Sequence, residues 1–148
     1  MNSVITYSPQ DNFVFSMNLY ENVFFRECEQ QEQVWATKHL DKLRLLINPN
    51  QCISGNDISG GERAKICLLR SLAKKSPYLF LDEPTAAVDE DSCGVFDAII
   101  QSLNDVLCVV VTHRIDSSLR NYDSVVVLDS GRLIAIDNYD NLLKNGII

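Results

Sequence analysis

Tyr78-Leu79-Phe80-Leu81-Asp82-Glu83-Pro84-Thr85 holds the decisive pattern, four apolar residues followed at once by two carboxylates and a proline. A continuous apolar run reads as a strand buried on both faces, which is what a parallel sheet covered by helices requires. Downstream, Glu90 to Leu103 carries Val95, Phe96, Ile99, Ile100 and Leu103 at helical spacing, and Leu107 to Thr112 is a second continuous apolar strand. A right-handed crossover sets the two strands parallel in one sheet. Asp82 and Glu83 then end one strand and His113 follows the other, both at the carboxyl edge where open α/β sheets place their ligands. If Val4 to Tyr7 joins that sheet in parallel, Gln10 arrives at the same edge.

Two adjacent carboxylates beside a low-dielectric core raise each other's pKa, and a divalent cation resolves the repulsion; a strand merely leaving the core through a polar turn is the plainer alternative. Upstream, Ser59-Gly60-Gly61-Glu62 opens a helix running to about Lys74, with Ala64, Cys67, Leu68, Ser71 and Leu72 on one face. Ser59 and Glu62 have capping-box spacing. A cap alone does not need two glycines in the first turn, which cost roughly 1 kcal/mol each against Ala. Bare N–H groups at a positive helix end suit a closely approaching phosphate. Asp89 reads first as the N-cap of the helix beginning at Glu90. His113 alone reads as a hydrogen-bonded strand-end histidine, Gln10 alone as a loop residue, and His39 receives no functional reading.

The remaining chain bounds these readings. Leu19 to Ile47 has a helical pattern, with Val34, Trp35, Leu43 and Leu46 as buried candidates, and Val125 to Leu128 with Leu133 to Ile136 form a hairpin around Asp129-Ser130-Gly131-Arg132. At 148 residues there is room for about one domain. Thirteen basic against 20 acidic residues leave a net charge of −7, which repels nucleic acid and anionic lipid. The longest aliphatic run, Val106 to Val111, is far short of the roughly 20 residues that span a bilayer. The N-terminus lacks the basic and apolar regions of a signal peptide. Five cysteines without a C-x-x-C pair, four of them in segments read as helix or strand, point to reduced thiols in the cytosol.

As an ordered set, these residues resemble the nucleotide-binding domain of ABC ATPases, particularly the exporter type. Gln10 within Tyr7-Ser8-Pro9-Gln10-Asp11-Asn12 is similar to the Q-loop, and Phe15 to Val23 to the exporter segment after it. Ile58-Ser59-Gly60-Gly61-Glu62-Arg63 resembles the signature motif, with Ile and Glu where Leu and Gln are usual. Leu79 to Glu83 resembles the Walker B strand, Ala86-Ala87-Val88-Asp89 the D-loop, and Val111-Thr112-His113-Arg114 the H-loop. The resemblance implies a P-loop NTPase-like sheet flanked by helices, with a helical signature subdomain. It divides the chain into a Q-loop strand and loop (1–10), a helical subdomain (11–76) and a core of Walker B, D-loop, H-loop and hairpin (77–148). It implies ATP and Mg²⁺ as cofactors, with Asp82 and Gln10 toward the metal and Glu83, His113 and Gln10 as catalytic residues. Ser59, Gly60, Gly61, Glu62 and Asp89 would face the nucleotide of a second nucleotide-binding domain in a head-to-tail dimer. The implied partner is a transmembrane domain, which would hold the chain at the cytoplasmic face of the membrane.

The departures matter as much. Walker A is G-x-x-x-x-G-K-[ST], and although Gly55 and Gly60 have the right interval, Gly61 and Glu62 stand where Lys and Ser or Thr are required. The phosphate loop and the N-terminal β-lobe are missing from these residues, which look like the C-terminal portion of such a domain. Ile53 stands where many exporters carry Glu. Two alternatives are a non-catalytic fragment lending its signature face to a complete subunit and a non-transport ABC ATPase. Against the latter, the span from Gln10 to Ser59 has no room for a long coiled coil, and Ala86-Ala87-Val88-Asp89 differs from the Asn-His-Leu-Asp of translation factors. In the family the Walker A strand lies between the H-loop strand and the one corresponding to Val125 to Leu128. The hairpin is therefore expected to slide over and pair with Leu107 to Val111, since an open strand-wide gap leaves a whole ladder unsatisfied.

Overall fold

The computed structural model describes residues 4–148; Met1 to Ser3, the start of the stretch read above as lacking a leader, lie outside them. The chain forms two compact units, Met1–Thr112 and His113–Ile148.

The first unit is built on a three-stranded sheet, β1 (Ile5–Ser8), β2 (Tyr78–Asp82) and β3 (Leu107–Val111), in the order β1-β2-β3. Both pairings are parallel, with Ser8 opposite Leu81 and Asp82 opposite Val111. The condition left open by the sequence is thus met: the N-terminal strand joins the sheet in parallel and delivers Gln10 to the edge where β2 releases Asp82 and Glu83.

The helical region from Leu19 is two helices rather than one continuous element to Ile47. Asn18 caps α1 (Leu19–Phe24) in a reciprocal box with Glu21, and Phe25 ends it in the left-handed conformation, φ 55°. α2 (Gln30–Lys42) starts afresh, its first turn held by Glu32, which accepts from the Glu29 N–H and two bonds from Arg26 at 2.9 and 2.7 Å. That fork holds the Glu32 carboxyl below its ordinary range. Arg44, also left-handed at φ 50°, stops the chain from continuing helically toward Ile47. The break resets the buried face to Ala36, Leu40, Leu43 and Leu45, leaving Val34 65% and Leu46 96% exposed against expectation. Cys28 falls in the break, so three of the five free cysteines, not four, lie in helices or strands.

α3 (Gly60–Ala73) packs against α1 and β1 and is buried nearly all round over Ala64 to Leu69, more deeply than its one-face pattern suggested. α4 (Glu90–Gln101) starts at the Asp89 cap as read and buries Cys93, Phe96, Ile99 and Ile100. Between strands, the Thr6 and Ser76 hydroxyls share a buried hydrogen bond of 2.7 Å.

The expectation that the strands are buried on both faces does not hold. Thr6, Ser8, Leu79 and Leu81 are buried, but Ile5, Tyr7, Tyr78, Phe80, Leu107, Val109 and Val111 are exposed. The apolar side chains are present for a two-sided core, yet the helices of this unit cover one side. An uncovered apolar face continuous with an edge strand is an association site. A polypeptide of these 148 residues is expected to self-associate at micromolar concentration, and Val109→Lys, central in β3, to shift it toward monomer in sedimentation velocity; an unchanged distribution would exclude this face.

The second unit holds a 3₁₀ turn (Ser117–Asn121), the hairpin β4 (Val125–Asp129) and β5 (Arg132–Asp137), and α5 (Tyr139–Lys144). Ser130 and Gly131, at φ 46° and 75°, form the two-residue turn the sequence signalled. Arg120 stacks on Tyr139 at 5.0 Å and pairs with Asp140 at 2.7 Å, tying α5 to the 3₁₀ turn. The hairpin does not slide over to pair with β3: β4 and β5 form their own antiparallel sheet, with a bulge at Val127/Leu128. A two-residue turn closes this ladder locally, so the hairpin satisfies one side of each strand without a long-range pairing.

Candidate functional site

The carboxyl edge of β2 carries the first group of site residues. Glu83 follows Asp82 with φ 48°, left-handed backbone that a non-glycine residue adopts at a cost of order 1 kcal/mol or more. Its N–H donates to the Val111 carbonyl at 2.9 Å, extending the parallel ladder one residue past β2. The strain is therefore anchored by β3. From there residues 83–88 turn tightly, with Ala86 N–H to Glu83 O at 3.2 Å and Val88 N–H to Thr85 O at 3.1 Å.

Asp82 has a partner not singled out from the sequence: the Tyr7 hydroxyl donates to Asp82 Oδ2 at 2.9 Å. Tyr7 lies opposite Phe80, so it shares a sheet face with Asp82 two residues further on. Strand alternation was the available signal, but it speaks only once the β1–β2 register is known. The bond to Asp82 raises the Tyr7 pKa, keeping the hydroxyl a donor.

At the head of α3, Ser59 and Glu62 form the full capping box. The Ser59 N–H and hydroxyl both donate to Glu62 Oε2 at 2.8 Å, and the Glu62 N–H donates to Ser59 Oγ at 3.2 Å. The glycine pair also has a reason within the chain. A Cβ on Gly60 would stand 3.2 Å from the Ala87 Cβ, and one on Gly61 would stand 3.2 Å from the Ala87 carbonyl oxygen. Close approach of residues 87 and 88 thus favours glycine here, since a Cβ would push Ala87 back by a few tenths of an ångström, in addition to any phosphate. It also joins the 59–62 and 86–89 segments into one surface.

Asp89 fulfils its structural role, accepting from the Ser92 N–H at 2.8 Å. The Ser92 backbone and hydroxyl lower its pKa, with a smaller contribution from the Lys65 ammonium. Gln10 is exposed and lines a cavity of about 440 Å³ with Asp11, Asn12, Gly55, Gly60, Arg63 and Ala87. Arg63 braces the loop before α3, donating to Gly55 O at 2.6 Å and Ile58 O at 3.2 Å. The first unit therefore brings Gln10, Asp82 and Glu83 to one sheet edge and Ser59, Gly60 and Gly61 against the turn that leads to Asp89. His113 is the first residue of the second unit and is exposed.

Mg²⁺ is commonly held by one or two carboxylates together with substrate phosphates and several waters. Asp82, oriented by Tyr7, is chemically suited to such a shared site. Among the described residues no group of three or more His, Cys, Asp or Glu could hold a metal by itself. No helix among the described residues is long and apolar enough to cross a membrane.

The model of the ABC transporter family matches residues 1–86. An ATP-dependent lipid A-core flippase of Francisella tularensis is 31% identical over 99% of the chain, which covers 26% of that protein. The ATP-binding cassette sub-family C member 3 of Rattus norvegicus is 32% identical over 99% of the chain, which covers 10% of it. Among solved structures, a bacterial Atm1-family ABC exporter with ATP bound superposes with a TM-score of 0.82 at 24% identity, covering 96% of this chain and 26% of that one. The chain thus spans about a quarter or less of these relatives. Parallel strands with Asp82 and Glu83 at their carboxyl edge, a glycine-headed helix packed on the turn after them and this family match lead to one conclusion: the chain belongs to the ABC transporter family.

Proposed function

We propose that these residues supply the Q-loop, signature, Walker B, D-loop and H-loop portion of an ATPase that drives export through a transmembrane partner, working as a head-to-tail pair with a second nucleotide-binding domain at the cytoplasmic face of the membrane. The observation that carries this reading is the close approach of Ala87 to the glycine pair, where a Cβ on Gly60 or Gly61 would stand 3.2 Å from it, which presents the head of α3 and the turn to Asp89 as one surface. Such a surface, with bare N–H groups at a helix N-terminus, suits a phosphate held by another subunit.

In this reading the functional division is 1–10, 11–76 and 77–148. Bound ATP with Mg²⁺ supplies the phosphoryl group and neutralises its charge. Asp82, its carboxylate kept in place by Tyr7, would help to hold the Mg²⁺. Glu83 accepts a hydrogen bond from the attacking water and takes its proton. Gln10 orients metal and water and His113 the terminal phosphate, while Ser59, Gly60, Gly61, Glu62 and Asp89 serve the opposite subunit's nucleotide.

A polypeptide of these 148 residues is expected neither to bind ATP tightly nor to hydrolyse it by itself, because cradling the phosphates is most of the catalysis and the sequence contains no G-x-x-x-x-G-K-[ST]. Calorimetry with Mg·ATP checks this. Micromolar binding, with turnover that Glu83→Gln abolishes, would contradict it and place a complete site on this chain.

A further inference from the structure

We propose that Arg70 is a positioning residue that locks the segment after Gln10 to the helix that carries Ser59, so that the two move as one body; this rests on the function proposed above.

Arg70 lies toward the end of α3 and, apart from Cys67 Sγ one turn back at 3.7 Å, is remote in sequence from everything it binds. Its Nε donates to the Asn22 carbonyl at 2.8 Å, Nη1 to the Phe13 carbonyl at 3.0 Å, and Nη2 to Asn22 Oδ1 at 3.3 Å. The guanidinium carbon stands 4.9 Å from the Phe25 ring and 5.7 Å from the Phe15 ring. Phe15 packs edge-on to both Phe13 and Phe25, at 4.7 and 5.5 Å. Asn22 passes the restraint on, donating from its amide to Phe15 O, Met17 O and Asn18 O and accepting from the Phe15 N–H. One guanidinium thus restrains much of the stretch from Phe13 to Phe25, beginning just past Gln10.

None of the acids among the described residues pairs with Arg70; every acceptor is neutral. A half-buried cation facing carbonyls, rings and the Cys67 thiol is a poor way to gain stability, since desolvation of the charge opposes the hydrogen bonds. A planar fork that serves several directions at once is a good way to fix geometry, and an ammonium cannot reproduce it. A signal that repositions Gln10 must then tilt α3, and with it Ser59 at the other end of the helix.

The test compares Arg70→Lys and Arg70→Gln with the unaltered chain. By hydrogen exchange with mass spectrometry, the amides of residues 11–18 are expected to exchange at least tenfold faster in both variants, while the interiors of α3 and β2 keep their protection. Unchanged exchange over 11–18 overturns the proposal, and so does uniform acceleration through α3, α4 and β2, which would make Arg70 a general stabiliser. In an assembly with a complete ABC ATPase subunit, Arg70→Lys should lower kcat with KM for ATP unchanged. An unchanged kcat overturns the coupling where Ser59→Arg does silence the assembly. Where Ser59→Arg has no effect either, the proposed function fails instead, and hydrogen exchange alone decides the tie.

Discussion

Mixed with a complete ABC ATPase subunit, the chain carrying Ser59→Arg is expected to support at least tenfold less ATP hydrolysis than the unaltered chain. Ser59 contributes a hydroxyl and the N-terminal turn of α3 contributes free N–H groups, and neither depends on a Walker A motif in the same chain. Hydrogen bonds to a charged group are worth about 1.5 to 3 kcal/mol each, so losing one at a phosphate corresponds to roughly ten- to hundredfold. Arginine also removes the capping box, in which Ser59 Oγ and Glu62 Oε2 lie 2.8 Å apart, at a further cost of about 1 kcal/mol. Steady-state ATPase rates across a titration of each variant into a fixed amount of the complete subunit measure the effect. Equal rates, with the variant shown to be folded, would refute a role for this surface in trans.

Asn22→Leu is expected to destabilise the first unit by about 3 kcal/mol or more, a large part of a typical total of roughly 5 to 15 kcal/mol. Asn22 is fully buried and nearly isosteric with Leu, so no cavity enters the comparison. What is lost is the oxygen that accepts from the Phe15 N–H and Arg70 Nη2, together with the amide's bonds to the carbonyls of Phe15, Met17 and Asn18, each of which keeps a backbone N–H partner. Polar groups left unpaired away from water cost about 1 to 3 kcal/mol each, and the Phe15 N–H and the Arg70 Nη2 group are the two that lose their acceptor. Urea unfolding followed through Trp35, which stacks at 4.2 Å on His39 of α2, reports the change. A loss below 1 kcal/mol would show that water or neighbouring groups replace the amide.

Much of the fold was legible because local chemistry and global packing agree at the elements that matter. The Asp89 cap announced α4, the Ser59–Glu62 box announced α3, and Ser130-Gly131 announced the hairpin turn, each through bonds made within a few residues. The long helix from Leu19 was misread because its stop is a phenylalanine in the left-handed conformation, which carries no glycine or proline signal. Val34 and Leu46 were misassigned as a consequence, since a break in the helix resets which face is buried.

By itself the sequence determined the α/β class, the parallel placement of β2 and β3, the family, and the identity of Gln10, Ser59, Gly60, Gly61, Asp82, Glu83, Asp89 and His113 as candidates, because these rest on residue type, order and short-range periodicity. Only the tertiary structure decided that Tyr7 holds Asp82, that Ala87 sits against the glycine pair, that Arg70 reaches Phe13 and Asn22, that one sheet face stays uncovered and that the hairpin keeps to itself. Each of these is a contact between segments distant in the chain, or the absence of one. Such contacts are set by register and by which surfaces meet, and no local pattern of residue types encodes them.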